Sequence, residues 1–463
     1  MTITIDDVSA RPGPRYRALA DSLETAIRTA RYAPGARLPP QRDLAHALDV
    51  TVGTVGRAYG LLLQRGLVRG EVGRGTFVQE PGRREAELLG HVPPEPGRRH
   101  DLSVNRPVAV PAQARVFDVL ASIGADGQRL AHLLTYPPHN GHLEHRLGLA
   151  RWLAGFAGPL DPERILPTLG TQNGMAVALA AATRPGDVLL MEAVAYPSNH
   201  GLAGRLGLKV EPVAMDAEGA LPESIGALCR QHRPTAIVLS PDLHNPTFAT
   251  ASAARREAIV AVARRHDLQI VEDAVYAPVA GTGLATLQSL APERTHLVTS
   301  ISKFLAPGLR MGCVVAPPDR LHRVVAAQAQ LSLGVSPIIA ETFARLEAEG
   351  IVAEAILQQR EALAHRRAVA LAALRGLAVT SHANALHVLL DLPPGQDAVG
   401  TAQRLAAIGL RTTPFAAFVI GRGVGRAALR LSLGGAADEA TLAAALVALR
   451  EHVSAGLDAP PVI

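Results

Sequence analysis

From about residue 101 onward, short apolar segments alternate with longer helical segments, and this alternation restricts the fold more than any other feature. The strand-like segments are DVLLMEA, KVEPVAM, TAIVLS, LQIVEDA, HLVTSIS and CVVAP. Strands that alternate with helices predict a mostly parallel α/β sheet with both faces covered. From about residue 316, Ala-, Leu- and Arg-rich helices mix with the strands LHVLLDL and AALRLSL, which predict a smaller C-terminal α/β lobe.

The first 80 residues follow a different pattern. Helical spacing over residues 14–31 is followed by a Pro/Gly break, a short helix (QRDLAHAL), a turn at Asp49-Val50 and a helix with Thr51 as its N-cap. VRGEVGRGTFV then predicts a β-hairpin. This order predicts a winged helix-turn-helix over residues 11–78. A Pro-, Gly- and charge-rich linker over 79–100 and an effector domain over 101–463 would follow it.

Length and charge agree with a multi-domain chain. A chain of 463 residues exceeds one ordinary core. The formal net charge is +5, and residues 11–80 hold eleven Arg against six acidic residues, so the head alone accounts for this excess. A basic head on a nearly neutral body predicts a nucleic acid partner.

The sequence favours a cytoplasmic protein with no membrane role. The start, MTITIDDVSA, lacks the basic and apolar regions of a secretory signal, and no apolar run is long enough to span a bilayer. The two cysteines, Cys229 and Cys313, cannot build a disulfide framework or a tetrahedral thiolate zinc site, which fits a reducing compartment.

Five residues of the head are candidates for contact with DNA. The second helix of a helix-turn-helix lies in the major groove with its first residues nearest the bases. The candidates are Arg42, Thr51, Thr54, Arg57 and, at the wing tip, Arg74. Arg can bind guanine or phosphate with its planar fork, and Thr can donate to phosphate. The alternative is a small helical interaction domain in which these arginines are solvated charges.

The head also resembles a known family. The segment LPPQRDLAHALDVTVGTVGRAYGLLLQRGLV followed by GRGTFV is similar to the GntR family of winged-helix repressors over about residues 14–78. The resemblance implies that the five candidate residues contact DNA.

Only two lysines, Lys209 and Lys303, can supply a side-chain primary amine. Pyridoxal phosphate (PLP) needs a lysine for its Schiff base, an acid for its pyridine nitrogen and donors for its phosphate. Lys303 lies in TSISKFLAPGLRMG, just after a strand and among hydroxyls and an arginine, whereas Lys209 in GLKVEP is typical of a surface lysine. We therefore predict PLP as the cofactor and Lys303 as the catalytic residue.

The other groups that PLP needs follow in a consistent order. The candidates are Gly170, Thr171, Gln172, Tyr196, Asn245, Asp273, Tyr276 and Arg310. The first three open a helix and offer donors to phosphate, and Arg310 can pair with it. Tyr196 can stack on the ring, Asn245 can donate to its phenolic oxygen, and Asp273 lies at the carboxyl edge of a strand. Each of these residue types alone usually has only a structural role. The prediction therefore depends on the presence of all of them in this order.

This ordered set resembles the fold-type-I aminotransferases of the aspartate aminotransferase class across about residues 101–450. The resemblance implies that Ser300 joins Arg310 at the phosphate and that Tyr136 reaches the phosphate of a neighbouring subunit. It also implies that Arg430 clamps a ligand carboxylate. One residue departs from the family pattern: Phe248 follows Asn245-Pro246-Thr247 where the family usually has Gly.

A GntR head joined to an aminotransferase-like body resembles the MocR-type regulators, and the whole chain fits this architecture. The resemblance implies a transcription regulator that senses a small amino compound, or PLP itself, through an aldimine at Lys303. It also implies a double-stranded DNA operator and a head-to-tail homodimer. The alternative is an active PLP-dependent aminotransferase with an accessory head. A metal site at His139, His142 and His145 is not expected, since the spacing is not that of a zincin.

Overall fold

A computed structural model describes residues 14–29, 31–33, 35–64, 67–71, 75–78, 100–421 and 426–455. The chain divides into two compact units, Met1–Pro93 and Pro94–Ile463. Most of the predicted linker, residues 79–99, lies outside the described residues. The exact domain boundaries inferred from the sequence therefore stay predictions.

The head consists of three helices and a hairpin. Its elements are α1 (Arg15–Arg28), α2 (Gln41–Ala47), α3 (Val52–Gln64), β1 (Val68–Glu71) and β2 (Gly75–Val78). The two strands pair antiparallel, and Leu19, Leu44, Val55 and Leu62 belong to one buried cluster that joins the helices. The predicted winged helix-turn-helix is confirmed.

The body is an α/β structure with two lobes. Its strands are β3 (His100–Asp101), β4 (Ile165–Thr168), β5 (Val188–Glu192), β6 (Lys209–Val213), β7 (Met215–Asp216), β8 (Gly219–Ala220), β9 (Ala236–Leu239), β10 (Gln269–Asp273), β11 (Thr295–Ser300), β12 (Gly312–Val315), β13 (Val379–Ser381), β14 (His387–Asp391), β15 (Leu410–Arg411), β16 (Thr413–Pro414) and β17 (Ala428–Ser432). Its helices are α4 (Arg115–Ala125), α5 (Gly127–Leu133), α6 (Leu143–Ala157), α7 (Gly170–Ala182), α8 (Pro197–Arg205), α9 (Pro222–His232), α10 (Ala253–Arg265), α11 (Ala277–Ala280), α12 (Leu287–Leu290), α13 (Leu321–Leu331), α14 (Pro337–Ala348), α15 (Ile351–Ala373), α16 (Ala398–Ala407) and α17 (Glu439–Ala455).

A seven-stranded sheet forms the large lobe, in the order β4-β12-β11-β10-β9-β5-β6. Strand β12 runs antiparallel to both of its neighbours, and the remaining pairs are parallel. Every residue of β9, β10 and β11 is buried. Their apolar residues are consecutive rather than alternating, as expected for strands that are covered on both faces. The predicted mostly parallel sheet is confirmed.

A separate four-stranded antiparallel sheet, β13-β14-β17-β16, forms the small lobe. Helices α15 and α17 pack against each other. The preceding helices α13 and α14 contact α7 and α6, respectively. Strand β3 pairs with β15, which ties the start of the body to its C-terminal part. Among the described residues, no helix is both long and apolar enough to cross a membrane.

A buried ion pair fixes the loop between β9 and α10. Arg256 is fully buried and binds both carboxylate oxygens of Asp242, at 2.6 and 3.3 Å. Its remaining N–H groups donate to the carbonyl oxygens of Pro241, Ala251 and Ala285. All five N–H groups of Arg256 thus have an acceptor, and the loop is held at both of its ends.

Replacing Arg256 tests how strongly this loop depends on the pair. We expect Arg256→Leu to lower the free energy of unfolding of the body by about 3–5 kcal/mol, because it leaves the Asp242 charge buried and unpaired. Urea unfolding followed by the fluorescence of Trp152, the only tryptophan, measures the change. The control is Arg264→Leu, which breaks an exposed pair with Glu293 and should cost at most about 1 kcal/mol. Equal losses in the two variants would contradict the prediction.

Candidate cofactor and ligand site

Lys303 is half-buried and comes three residues after the last strand residue of β11 in the large sheet. It ends a short 3-10 turn, Ile301–Lys303, that follows β11 directly, and its Nζ donates to the backbone oxygen of Asn105 at 3.0 Å. Burial and the positive charge of Arg430 lower the pKa of Lys303 to about 8, although Asp273 opposes the shift. The other lysine, Lys209, is exposed at the start of β6. Lys303 is therefore the lysine suited to nucleophilic chemistry.

A candidate anion site lies at the N-terminus of α7. The helix begins at Gly170, which has a φ of 74°. A Cβ atom on Gly170 would lie 2.9 Å from Nη2 of Arg310, so glycine lets the guanidinium approach the helix. Arg310 donates to the oxygen of Leu169 at 3.1 Å, and no carboxylate in the described part of the chain pairs with it. A free cation at a helix N-terminus suits a phosphate.

Two hydroxyl groups complete this anion site. Thr171 Oγ1 donates to Ser300 Oγ at 2.8 Å, and the backbone N–H of Ser302 donates to the same oxygen at 3.4 Å. Because Ser300 Oγ accepts both bonds, its own O–H remains able to donate. Gln172 is exposed on the first turn of α7.

Asp273 places a buried carboxylate at the end of β10. Asn199 Nδ2 donates to its Oδ2 at 3.4 Å, and the N–H of Val275 donates to Oδ1 at 3.3 Å. Burial raises the pKa of Asp273, although these hydrogen bonds and Lys303 oppose the shift. Tyr196, half-buried, caps the start of α8, the helix that carries Asn199. The sequence analysis did not predict Asn199 as a site residue. It lies three residues after Tyr196, in the first turn of the helix that follows this candidate, and that position could have indicated it.

Arg430 lies in the interior of the small-lobe sheet. Its strand, β17, is flanked by β14 and β16 and is therefore not an edge strand. An arginine on an edge strand is often only a surface charge, and this interpretation does not apply here. Arg430 is 3% exposed, and burial lowers its pKa. Its guanidinium donates to Asn245 Oδ1 at 3.2 Å, to Thr413 Oγ1 at 3.3 Å and to the oxygen of Ser103.

Tyr276 and Asn105 lie between Lys303 and the small lobe. Tyr276 is buried, and its ring centroid is 5.8 Å from Lys303 Nζ. Its hydroxyl accepts a hydrogen bond from Asn105 Nδ2 at 3.2 Å, and burial raises its pKa to about 12. The same Nδ2 lies 3.1 Å from Nδ1 of His387. Asn105 and His387 were not predicted, since no local pattern distinguishes them.

Phe248, where the chain departs from the aminotransferase pattern, also contacts His387. Phe248 has a φ of 66°, in the left-handed region. Its ring stacks on that of His387 with centroids 4.6 Å apart and planes at 18°. The departure therefore adds an aromatic contact to the loop that carries Asn245.

Some predicted residues are not brought to this site within one chain. Tyr136 is 91% exposed, so its contact with a neighbouring subunit stays a prediction. His139 is exposed, and the candidate metal-binding groups of the described residues use other partners: His132, His142 and Glu144, or Glu144, His145 and Glu341. The arginines at positions 129 and 345 bind Glu341, which favours an ion-pair network there.

In the head, Thr51 and Thr54 open α3. Their hydroxyls are 2.9 Å apart, and the N–H of Thr54 donates to Thr51 Oγ1 at 3.2 Å, so Thr51 caps the helix. Arg42 and Arg57 are exposed on α2 and α3. Arg74 lies outside the described residues. The DNA contacts themselves stay predictions.

Fold and site together define a class of protein: a winged helix-turn-helix joined to an aminotransferase-like body, as in transcription regulators. The chain belongs to the aminotransferase class I and II family, which matches residues 110–449, and residues 15–78 match the gntR family of bacterial regulatory proteins. The predicted MocR-type combination, and with it the regulator class, is confirmed.

Similar proteins include two bacterial regulators. The HTH-type transcriptional regulator YdeF of Bacillus subtilis is 28% identical, over 91% of this chain and 90% of its own. The HTH-type pyridoxine biosynthesis transcriptional regulator PdxR of Corynebacterium glutamicum is 27% identical, over 95% and 96%. An archaeal alanine:glyoxylate aminotransferase structure superposes with a TM-score of 0.71 at 21% identity, covering 85% of this chain and 97% of its own. The structural likeness establishes the fold of the body.

The charge environment of Lys303 can be tested in cofactor-free protein. We expect Arg430→Gln to raise the pKa of Lys303 from about 8, because it removes a positive charge that disfavours the protonated amine. NMR of lysine labelled at Cε and Nζ gives two side-chain signals, which Lys209→Arg assigns. The control, Arg426→Gln, removes an exposed arginine that pairs with Asp391 and should leave the titration unchanged. A Lys303 signal that titrates above pH 10 in the unsubstituted protein would refute the expectation.

Proposed function

We propose that this protein is a transcription regulator whose body binds PLP at Lys303 together with a small amino compound that carries a carboxylate. Its head binds a double-stranded DNA operator. The observation that carries the proposal is Arg430: a buried cation beside the site, with no carboxylate partner among the described residues. A buried unpaired charge is costly, so an anionic ligand group is expected there.

Arg430 retains donors for that ligand. Three of its five N–H groups bind Asn245, Ser103 and Thr413. Its Nε is buried without a hydrogen-bond partner among the described residues. Two N–H groups therefore remain for an incoming carboxylate.

The described residues also fit PLP. The helix N-terminus with Thr171, Ser300 and Arg310 suits the phosphate, Asp273 suits the pyridine nitrogen, and Tyr196 would stack on the ring. When bound, PLP supplies an aldehyde to which primary amines add and an electron-accepting pyridine ring.

The side chains around Lys303 prepare its amine and the bound ligand for this chemistry. A lysine with a pKa of about 8 is neutral in a much larger fraction at physiological pH than an ordinary lysine, and the neutral form is the nucleophile. Tyr276 accepts from Asn105, which leaves its own O–H to donate. The backbone oxygen of Asn105 holds the Lys303 amine in place through one hydrogen bond.

The same set of residues would serve an active aminotransferase, which is the second candidate. The basic head favours the sensor, because a metabolic enzyme has no need for it. In the sensor, a ligand that prefers one of two dimer conformations would shift the DNA affinity of the heads. The head-to-tail dimer, with Tyr136 at the partner's site, and a cytoplasmic location are parts of this proposal. Release of an oxo acid from an amine donor would favour the enzyme.

The attachment of PLP gives the first test. We expect purified protein incubated with PLP and then reduced with borohydride to carry the label on Lys303 and not on Lys209, as read by peptide mass spectrometry. Lys303→Ala should lose the label, and the matched control Lys209→Ala should keep it. Labelling that survives Lys303→Ala would refute the proposed cofactor site.

The DNA-binding role of the head gives a second test. On a duplex selected from random sequence by the unsubstituted protein, we expect Arg57→Ala to weaken binding about tenfold and to reduce the salt slope by about 1, because one charged contact is lost. Fluorescence anisotropy across a range of salt concentrations measures both. Arg265→Ala, an exposed arginine of the body, is the control. Equal effects in the two variants would argue against an interface on α3.

A further inference from the structure

Asn105 links the large and small lobes through its side-chain amide. Its Nδ2 lies 3.2 Å from the hydroxyl of Tyr276 and 3.1 Å from Nδ1 of His387. On the other side of the imidazole, Nε2 of His387 lies 3.0 Å from the backbone oxygen of Pro246. Asn105, Tyr276 and His387 are all buried. These contacts form one chain of hydrogen bonds beside Lys303.

The carbonyl of Pro246 fixes the direction of this chain. A carbonyl oxygen only accepts, so Nε2 of His387 must carry the hydrogen. In a neutral imidazole Nδ1 is then an acceptor, and burial keeps this ring neutral by lowering its pKa to about 3. Asn105 must therefore present its NH2 group to His387, because the flipped amide would place two acceptors against each other.

This orientation leaves Oδ1 of Asn105 without a partner. Both hydrogens of Nδ2 are used by Tyr276 and His387, while Oδ1 is buried with no hydrogen-bond partner among the described residues. The backbone oxygen of Asn105 accepts a hydrogen bond from the Lys303 amine. The backbone oxygen and the side-chain oxygen Oδ1 of this residue can therefore serve different donors. A buried acceptor left unsatisfied is costly, so a donor from outside the chain is expected at Oδ1.

Phe248 holds the imidazole in the position that this network needs. Its ring covers one face of His387, and its half-buried side chain packs against the cluster of Leu389, Phe415 and Ala428. A left-handed φ is unfavourable for a residue with a Cβ atom, and this packing offsets the cost. The Asn105 amide is therefore held on a rigid support, as a site that discriminates between ligands requires.

We infer that Asn105 is a specificity-determining residue whose Oδ1 accepts a hydrogen bond from a hydroxyl group of the bound amino compound. The effector then carries a donor group in addition to the amine and the carboxylate. This inference rests on the proposed function, since it assumes that an amino compound binds beside Lys303. A site with a buried unpaired acceptor rejects an analogue that lacks the matching donor.

Isosteric pairs of amino acids test this inference. The probes are L-serine with L-2-aminobutyrate, L-threonine with L-valine, and L-homoserine with L-norvaline; each pair exchanges a hydroxyl for a methyl group. Calorimetry measures their affinities for PLP-loaded protein. We expect the hydroxyl member of at least one pair to bind about tenfold more tightly. Asn105→Leu and Asn105→Ala should bring that ratio close to one.

A control variant and PLP loading separate the outcomes. Asn384→Leu removes a small-lobe asparagine whose side-chain amide donates to the oxygen of Ala280, and it should keep the ratio of the unsubstituted protein. PLP uptake equal to that of the unsubstituted protein shows that the Asn105 variants are folded. If PLP loads and every ratio is close to one, if no hydroxyl member binds, or if the ratio survives both Asn105 substitutions, the inference is wrong. If the unsubstituted protein takes up no PLP, the proposed function itself fails.

Discussion

The buried pair of Arg256 and Asp242 holds the loop on which the ligand side of the site depends. A buried ion pair offsets its desolvation cost only when every donor and acceptor is satisfied, and Arg256 meets this condition because backbone oxygens at both ends of the loop complete its shell. The loop in turn presents Asn245 to Arg430 and the oxygen of Pro246 to His387. These two polar contacts between the lobes thus depend on a loop that one buried pair of the large lobe holds.

Positive charges outnumber negative charges around Lys303, and this excess indicates that the ligands of the site carry negative charge. Lys303, Arg310 and Arg430 bring three basic groups to the region, whereas Asp273 is the carboxylate, among the described residues, that raises the pKa of Lys303. Neighbouring cations disfavour protonation of Lys303. A phosphate beside Arg310 and a carboxylate beside Arg430 would restore the balance. The electrostatics therefore support a cofactor with a phosphate and a ligand with a carboxylate independently of the family resemblance.

Sequence reasoning found what local patterns encode and missed what arises from contacts between distant residues. The central strands were predictable because both of their faces are buried, which gives consecutive rather than alternating apolar residues. Strand β4 was missed, since it is only four residues long and contains Pro167, which an edge position tolerates. Asn105 and His387 are 282 residues apart in the sequence, so neither residue's neighbours signal the contact.

The phosphate side and the ligand side of the site differ in how far their sequence follows the aminotransferase pattern. The phosphate side is built from the start of a helix at Gly170, the end of β11 at Ser300 and the turn that carries Arg310. The ligand side contains Phe248, where the chain departs from that pattern, and the departure supports His387 through a stacked ring. The two sides come from different elements, so residues on the ligand side can change without replacing Gly170, Ser300 or Arg310. Under the proposed function, Asn105, Phe248 and His387 would select the effector, and substitutions there should change which amine binds before they change whether PLP binds.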